Sequence, residues 1–384
     1  MSDPLPAAAA TPPAVLHVTE ATGAGVLSYI TMVSNRQAER GARIAVLLLG
    51  SRPDKAVAWR AQFHPAIAVT ECVPHRAGAV GTLRAYAGAI RNALRTHRPD
   101  ALHLHSSIAG ALGRVLSGFG AAPRIVYQPH GLSWLREDKG TLARRAFLAA
   151  EWLLARRAGA LVGVSSGECE QMRRLGRRDV TLIENGVRID EIPRHEPDDA
   201  ASLAPAGAVS RKLRIGTVNR ICAQKDPAFF AEVATRLGST AFEFVWIGDG
   251  EAALRPVLER AGVNVRGWLA RAEALAEMAR FDIYLQPSRW EGMPLSLIEA
   301  QVAGVPAIAR AVIGNREVIE RTGGGRLVKS AAEAAEQVRA LAADAPARAS
   351  LGAAGRAAAI AEFSIDRIVD QLDALYQSRT DAGR

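Results

Sequence analysis

Short, almost continuously apolar segments recur along this chain, most of them followed by a stretch of helical periodicity, and no other feature restricts its fold as tightly. VLHVT (Val15 to Thr19), RIAVLLLG, a weaker AIAVTECV, ALHLHS, RIVYQPHG, LVGVS and VTLIENG succeed one another in the first half, and LRIGTV, EFVWIG and IYLQPS resume the pattern in the second. A strand that is apolar on both sides needs cover on both sides, the condition of a parallel sheet held between two helical layers. The patterns from Gly81 to Thr96 and from Leu142 to Arg157 supply helices for the first half. Between the halves, PRHEPDDAASLAPAGAVSRK is rich in Pro, Ala and charge and has no period, so it reads as a linker. A length of 384 residues also suits two cores better than one.

The expected organisation is α/β, with a leader over 1–14, a first domain over 15–190, a linker over 191–212, a second domain over 213–362 and a last helix in 363–384. That helix has Ile365, Ile368, Leu372 and Leu375 at helical spacing. The segment TLARRAFLAAEWLLARRA gathers Leu142, Ala146, Ala149, Ala150, Leu153 and Leu154 on one broad apolar face flanked by arginines. It is expected to pack on its sheet with the arginines snorkelling, the alternative being a basic amphipathic helix lying on an anionic membrane.

One segment concentrates the side chains able to do chemistry. PSRWEGMPLSLIEAQVAGVP, Pro287 to Pro306, follows a strand, makes a tight Gly-bearing turn and enters a helix at Pro294, where a missing N–H costs nothing. Gly304 and Pro306 end that helix near Ala303. A 3.6 period puts Leu295, Ile298 and Val302 on a stripe expected to pack, and Ser296, Glu299 and Ala303 on one expected to face a cleft. Glu291 and Glu299 would both point over the carboxyl end of the strand, where open parallel sheets bind ligands. The helix start favours an anion and the carboxylates favour vicinal hydroxyls, so a sugar nucleotide satisfies both. The turn Gly292, Met293, Pro294 and Leu295 is the matching donor-binding candidate.

Two cations stand at the end of an earlier strand. Arg220 offers a planar fork and Lys225 a point charge, a pair suited to clamping a diphosphate and steadying the charge on a leaving nucleotide. With these and a helix start in place no metal or other cofactor is expected, and no Asp-x-Asp-like pair is placed to hold one. In the first half Gly23 and Gly25 open a G-x-G turn after the first strand. The next strand ends in Gly50 instead of an acid, which argues against a nicotinamide enzyme. His105 and His130 both follow strands; a lone His105 reads as a structural hydrogen-bonding group.

The pattern E-G-x-P-x-x-x-x-E-A-x-x-x-G-x-P resembles the signature of the retaining glycosyltransferases of family 4, with Glu291 and Glu299 at that family's E-x7-E spacing. Further points of resemblance are Arg220 with Lys225-Asp226-Pro227, the pair Gly248 and Gly250, and His130-Gly131. Asn185-Gly186 is similar to the family's P-N-G-V-D, with Glu184 in place of Pro and Arg188 in place of Asp. The resemblance implies a GT-B fold, two Rossmann-like domains with parallel sheets facing across a cleft and the last helix crossing back to the first domain. It implies that Glu291 holds sugar hydroxyls, Glu299 the ribose, Arg220 and Lys225 the diphosphate, and His130 the far side of the sugar. It also implies that Gly23 and Gly25 approach the donor or acceptor, with Glu20 an acceptor contact and Glu317 near a turn that closes the donor site.

Composition narrows the partners. The formal charge is +9, yet only 5% of residues are aromatic and no stacking motif of the RNA-binding kind is visible, so nucleic acid is disfavoured. The expected partners are a UDP- or GDP-linked sugar and a saccharide or lipid-linked saccharide acceptor, with an anionic membrane surface consistent with the basic excess. Cys72, Cys169 and Cys222 lack metal-ligand spacing and read as reduced thiols. The Ala/Pro-rich start has no basic n-region or apolar core, so a cytoplasmic protein, peripheral at the inner face of the membrane, is expected. Alternatives are a catalytically silent sugar-nucleotide-binding subunit of a polysaccharide assembly complex, or a phosphorylase or epimerase on the same fold.

Overall fold

The computed structural model describes residues 12–22, 24–50, 59–74, 78–117, 123–135, 140–157, 159–177, 179–195 and 211–378. Gly23, most of the expected leader and most of the expected linker lie outside the described residues. The first domain contains β1 (Val15–Thr19), α1 (Ala24–Glu39), β2 (Ile44–Leu49), β3 (Ala68–Cys72), α2 (Ala79–His97), β4 (Ala101–His105) and α3 (Ser107–Leu116). It continues with β5 (Arg124–Gln128), α4 (Thr141–Ala155), β6 (Ala160–Gly163), α5 (Ser166–Arg173) and β7 (Val180–Leu182). The second contains β8 (Leu213–Val218), α6 (Pro227–Leu237), β9 (Phe242–Ile247), α7 (Arg255–Arg260), β10 (Asn264–Gly267), α8 (Arg271–Met278) and β11 (Ile283–Gln286). Then come α9 (Leu295–Ala303), β12 (Ala307–Arg310), α10 (Asn315–Thr322), β13 (Gly325–Val328), α11 (Ala331–Ala343), α12 (Ala345–Glu362) and α13 (Ile365–Gln377).

Both sheets are parallel throughout. The first has seven strands in the order β3-β2-β1-β4-β5-β6-β7, and the second has six in the order β10-β9-β8-β11-β12-β13. Every residue of β1, β2 and β4 is buried, as near-continuous apolar strands between two helical layers require. Each sheet changes winding direction beside its first strand, at β1/β4 and at β8/β11, and the crevice at such a point is where open α/β sheets take ligands.

The last part of the chain joins the second domain back to the first. Val187 pairs with the chain at Phe363 and Ile365 through backbone hydrogen bonds of 2.8 and 3.0 Å. Helix α13 then lies along α1 of the first domain, where Arg36 meets Asp366 at 2.6 Å, Arg40 meets Asp370 at 2.6 Å and Gln37 donates to Asp373 at 3.1 Å.

Two helices depart from the sequence expectation in opposite directions. In α9 only Ser296 is not buried: Glu299 is 6% exposed and Ala303 is sealed, so no open stripe faces the cleft. Helices α1, α8, α10 and α12 close around it. Helix α4 turns its apolar side outward, with Leu142 83%, Leu153 69% and Trp152 52% exposed. Its buried residues are Glu151 and Ala155. Glu151 accepts hydrogen bonds from Arg114 at 2.8 Å and from the Tyr127 hydroxyl at 2.7 Å, and the Arg114 guanidinium lies 4.0 Å over the Tyr127 ring. A polar anchor therefore holds α4 down, which the apolar period could not reveal.

Candidate active site

The second-domain wall is assembled at the carboxyl ends of β8 and β11. Arg220 follows β8, is exposed, and its side chain has no hydrogen-bond or ionic partner among the described residues. The turn after it is held tightly against the next loop. Gly248 has φ +123, and a Cβ there would come within 2.2 Å of the Asn219 carbonyl, so no other residue fits without moving the backbone. The 3-10 turn Ala223–Lys225 is strapped to the segment before α9: Arg289 N donates to the Gln224 carbonyl at 2.9 Å and Gln224 Nε2 donates to the Trp290 carbonyl at 3.0 Å. This strap brings the Lys225 ammonium onto Glu291, with which it forms an ion pair. Glu291 also accepts from Gln286 Nε2 at 3.1 Å, and Asn219 holds Gln286 from behind at 3.0 Å. Asp226 caps α6 and binds Arg289 and Arg310 at 2.9 and 2.8 Å, fixing the end of the turn.

The turn from Gly292 to Leu295 leads into α9 as the sequence suggests, with Pro294 as the capping residue and Gly304 ending the helix at φ +91. Met293 is buried and its carbonyl accepts from Asn185 of the first domain at 2.6 Å. Glu299 lies deeper than expected, bound to Arg271 of α8 at 2.7 Å. The same guanidinium reaches Glu191 at 3.0 Å, so Arg271 ties α9 to the end of the first domain. Sequence reading did not find Arg271, which is 28 residues from its partner and in no recognisable motif.

The opposite wall comes from the first domain. His130 follows β5 in a left-handed conformation, φ +54, and its ring stands edge-on to Tyr29 with centroids 4.6 Å apart. Its Nε2 is 2.9 Å from His105 Nδ1, and burial lowers its pKa to about 3. His105 is itself fully buried, in line with a structural role, but it belongs to a larger group with His17 and His103 that sequence reading missed. The spacing His-x-His in ALHLHS was the available signal.

A cavity of about 210 Å³ separates the walls, lined by Gly131, Leu132 and Glu168 on one side and by Arg289, Trp290 and Glu291 on the other. Glu168, also absent from the sequence reading, is buried there with no hydrogen-bond partner for Oε1 among the described residues, while its other oxygen accepts from Val164 N at 3.1 Å. Burial pushes its carboxyl up to about 7 against the pull of backbone N–H groups, and the Glu317 carboxylate adds to the rise.

Glu20, the expected acceptor contact, is held by the start of α3. Its carboxylate accepts from Ile108 N at 2.7 Å, Ala109 N at 2.9 Å and the Ser106 hydroxyl, capping the start of α3. Gly25 lies in the first turn of α1 and is exposed. Glu317 caps α5 across the cleft, accepting from Ser166 N at 2.7 Å and Gly167 N at 3.0 Å, which holds the domains together.

Comparison with known proteins agrees with this architecture. Residues 24–186 match the family described as glycosyl transferase 4-like domain, and residues 212–344 match glycosyl transferases group 1. The chain belongs to the group 1 glycosyltransferases. An Escherichia coli UDP-Gal:alpha-D-GlcNAc-diphosphoundecaprenol alpha-1,3-galactosyltransferase is 27% identical over 256 residues, covering 62% of this chain and 64% of that enzyme. The chain thus spans just under two thirds of the length of the curated relatives it matches in this way. Among solved structures, the sucrose-phosphate synthase of Thermosynechococcus elongatus superposes with TM-score 0.79 at 17% identity, over 94% of this chain and 98% of that one. HepE of Anabaena, in complex with UDP and glucose, superposes with TM-score 0.78 at 20% identity, over 96% and 100%. Both share the GT-B fold of this group 1 glycosyltransferase.

Proposed function

We propose that this glycosyltransferase moves a sugar from a UDP- or GDP-linked donor to a hydroxyl of a saccharide or lipid-linked saccharide acceptor, with retention, in the assembly of an envelope polysaccharide or glycolipid. The observation that carries this reading is the convergence on one cleft wall of Arg220, which has no side-chain partner among the described residues, the Lys225–Glu291 pair and the start of α9. Cations facing a cleft beside a carboxylate suit a diphosphate joined to a polyol and little else of ordinary size.

In this reading the diphosphate takes Lys225 and Arg220, and Lys225 exchanges part of its contact with Glu291 for phosphate oxygen. Glu291 is then free to accept from the hydroxyls of the transferred sugar. Glu299 holds the ribose diol while Arg271 keeps its charge compensated. The bond from the anomeric carbon to the diphosphate oxygen breaks, and the acceptor oxygen bonds to that carbon from the same face. The acceptor's proton passes to the departing diphosphate, whose charge the two cations steady. His130 lies across the cleft from this exchange. The cations take the part a divalent ion plays in other transferases, so the reading requires no metal.

Calorimetric titration of UDP and GDP in the presence of chelator, on wild type and Lys225→Ala, tests the donor site. One nucleotide is expected to bind and to lose affinity in the variant. Absence of binding by both, or equal binding to both proteins, would sink the assignment.

A peripheral position on the membrane is favoured by one further observation. Helix α3 packs against both α2 and α4, and Leu83, Val115, Leu142, Trp152 and Leu153 are exposed on these helices among arginines. Among the described residues no helix is long and apolar enough to cross a membrane. Co-sedimentation with vesicles rich in anionic lipid at low salt is the expected behaviour, and a protein that stays in the supernatant would remove this part of the reading.

A further inference from the structure

Behind His130, whose neighbour Gly131 lines the cavity, a line of buried polar groups runs to the last helix. His130 Nε2 is 2.9 Å from His105 Nδ1, and His105 Nε2 is 3.0 Å from His17 Nδ1. His17 Nε2 is 3.1 Å from Gln37 Oε1, and Gln37 Nε2 donates to Asp373 at 3.1 Å. The line crosses β4, β1 and α1 and ends on α13, and His17, His105 and Gln37 have no exposed surface.

Its proton order follows from its far end. A carboxylate has no hydrogen to give, so the Gln37 amide turns its NH₂ to Asp373 and its carbonyl oxygen to His17. His17 must then carry its proton on Nε2 and offer the lone pair of Nδ1. His105 must donate from Nε2 to that lone pair, and so offers Nδ1. His130 must donate from Nε2 to His105. A neutral imidazole has one N–H, and burial holds all three rings neutral, lowering the pKa of His17 to about 4 and that of His130 to about 3 and that of His105 well below its usual value.

We propose that His17 and His105 are positioning residues: the line Asp373–Gln37–His17–His105 fixes His130 as its Nε2–H tautomer, so that Nδ1 presents a lone pair to the cleft and accepts a hydrogen bond from a sugar hydroxyl. The identity of the hydroxyl rests on the function proposed above; the tautomer does not. Among the described residues Nδ1 has no protein partner, and His130 is only partly covered. A ring that is neutral and already donating on its inner side acts as a fixed acceptor, not as a base. The line also explains a use for the last helix beyond packing, since the residue that sets the order lies on α13.

Two of these rings, together with His103, could be read instead as a metal site, because ligating atoms of His17, His103 and His105 all lie within 4.8 Å of one another. The spacing disfavours it. His17 and His105 stand at hydrogen-bond distance, and the His103 and His105 rings face each other with centroids 4.0 Å apart, tilted by 32°. Rings lying face over face do not aim their lone pairs at one point about 2.0–2.1 Å from each.

The test is nitrogen-15 imidazole NMR of the full chain, which reads the tautomer of each histidine without substrate, alongside kinetics with a nucleotide sugar. Wild type is expected to show His130, His105 and His17 as Nε2–H. In Asp373→Asn the side-chain amide can face Gln37 either way, so His130 is expected to become a mixture of tautomers. Its kcat/KM is expected to fall by up to roughly tenfold, the net worth of one hydrogen bond, with UDP affinity unchanged. Gln37→Leu, of similar volume, should give the same mixture if Asp373→Asn folds poorly. A His130 that carries its proton on Nδ1 in wild type, or that is unchanged in both variants, would overturn the proposal, as would stoichiometric bound zinc in the purified protein. An enzyme silent toward every nucleotide sugar would instead undo the function while leaving the tautomer measurable.

Discussion

The two walls of the cleft are built from opposite materials. The second-domain wall is made of full charges that compensate one another, Lys225 with Glu291 and Arg271 with Glu299, beside Arg220, which has no side-chain partner among the described residues. The first-domain wall is made of groups whose charged forms burial disfavours, His130 with its pKa lowered to about 3 and Glu168 with its carboxyl raised to about 7. A charged wall suits the part of a donor whose charge changes during the reaction. A neutral wall suits hydroxyls, which need fixed acceptors and donors but no counter-charge. If that division is right, substitutions on the two sides should fail in different ways.

The largest effect is expected on the charged side. Lys225→Ala removes a cation from the leaving diphosphate and leaves Glu291 without its partner, and kcat should fall by about 10²–10³. A donor KM that rises with kcat unchanged would mean that Lys225 only binds, which would break the comparison at its strongest point.

Glu168 offers a nearly equal effect on stability. An unfolded carboxyl titrates near 4.5, whereas the folded one is raised to about 7. Below pH 4.5 both states are protonated and Glu168 costs nothing. Between 4.5 and 7 the unfolded state loses its proton first, so stability falls as pH rises, and above 7 the full cost is on the order of 3 kcal/mol. Glu168→Gln keeps the shape and cannot ionise. It should match wild type near pH 4.5 and be more stable above pH 7 in denaturant titrations. Equal stability at both pH values would mean that Glu168 is ionised and compensated, and the first-domain wall would no longer be neutral.

A smaller effect belongs to His130 itself. Asparagine tolerates the left-handed backbone at this position but falls short of the cleft. His130→Asn should lower kcat/KM about tenfold and leave UDP affinity unchanged, since the nucleotide is held by the other wall. A loss of UDP binding in this variant would show that the walls do not divide the donor as described.

How much of this was legible in the sequence differs by wall for a physical reason. Strands such as β1 and β4 were readable because their apolar runs have to be buried wherever they fall. Most of the charged wall lies in short motifs, with Arg220 and Lys225 five residues apart and Glu291 and Glu299 in one turn and helix, whereas Arg271 lies in none. The neutral wall joins residues far apart in the chain: His17 and His105 are 88 positions apart, and Gln37 and Asp373 are 336. No local pattern signals such contacts. The burial of Glu299 was not legible either, because a helical period gives faces and says nothing of the helices that α1, α8, α10 and α12 later lay over them.

Helix α4 poses the same limitation in reverse, and yields the smallest expected change. Its apolar period matches that of a packed helix, yet Leu153 is 69% exposed while Glu151 is buried against Arg114. If the polar anchor holds α4, Leu153→Ser removes no contact that folding needs, and the unfolding free energy should change by less than about 0.5 kcal/mol. The same change takes a large apolar side chain from a surface flanked by Arg156 and Arg157, so binding to anionic vesicles should weaken measurably at low salt. Glu151→Ala is the contrasting case, because it leaves the buried Arg114 uncompensated and should cost about 3–5 kcal/mol. A marked loss of stability in Leu153→Ser would show that this face packs against protein, and the apolar period would then have been the better guide to α4.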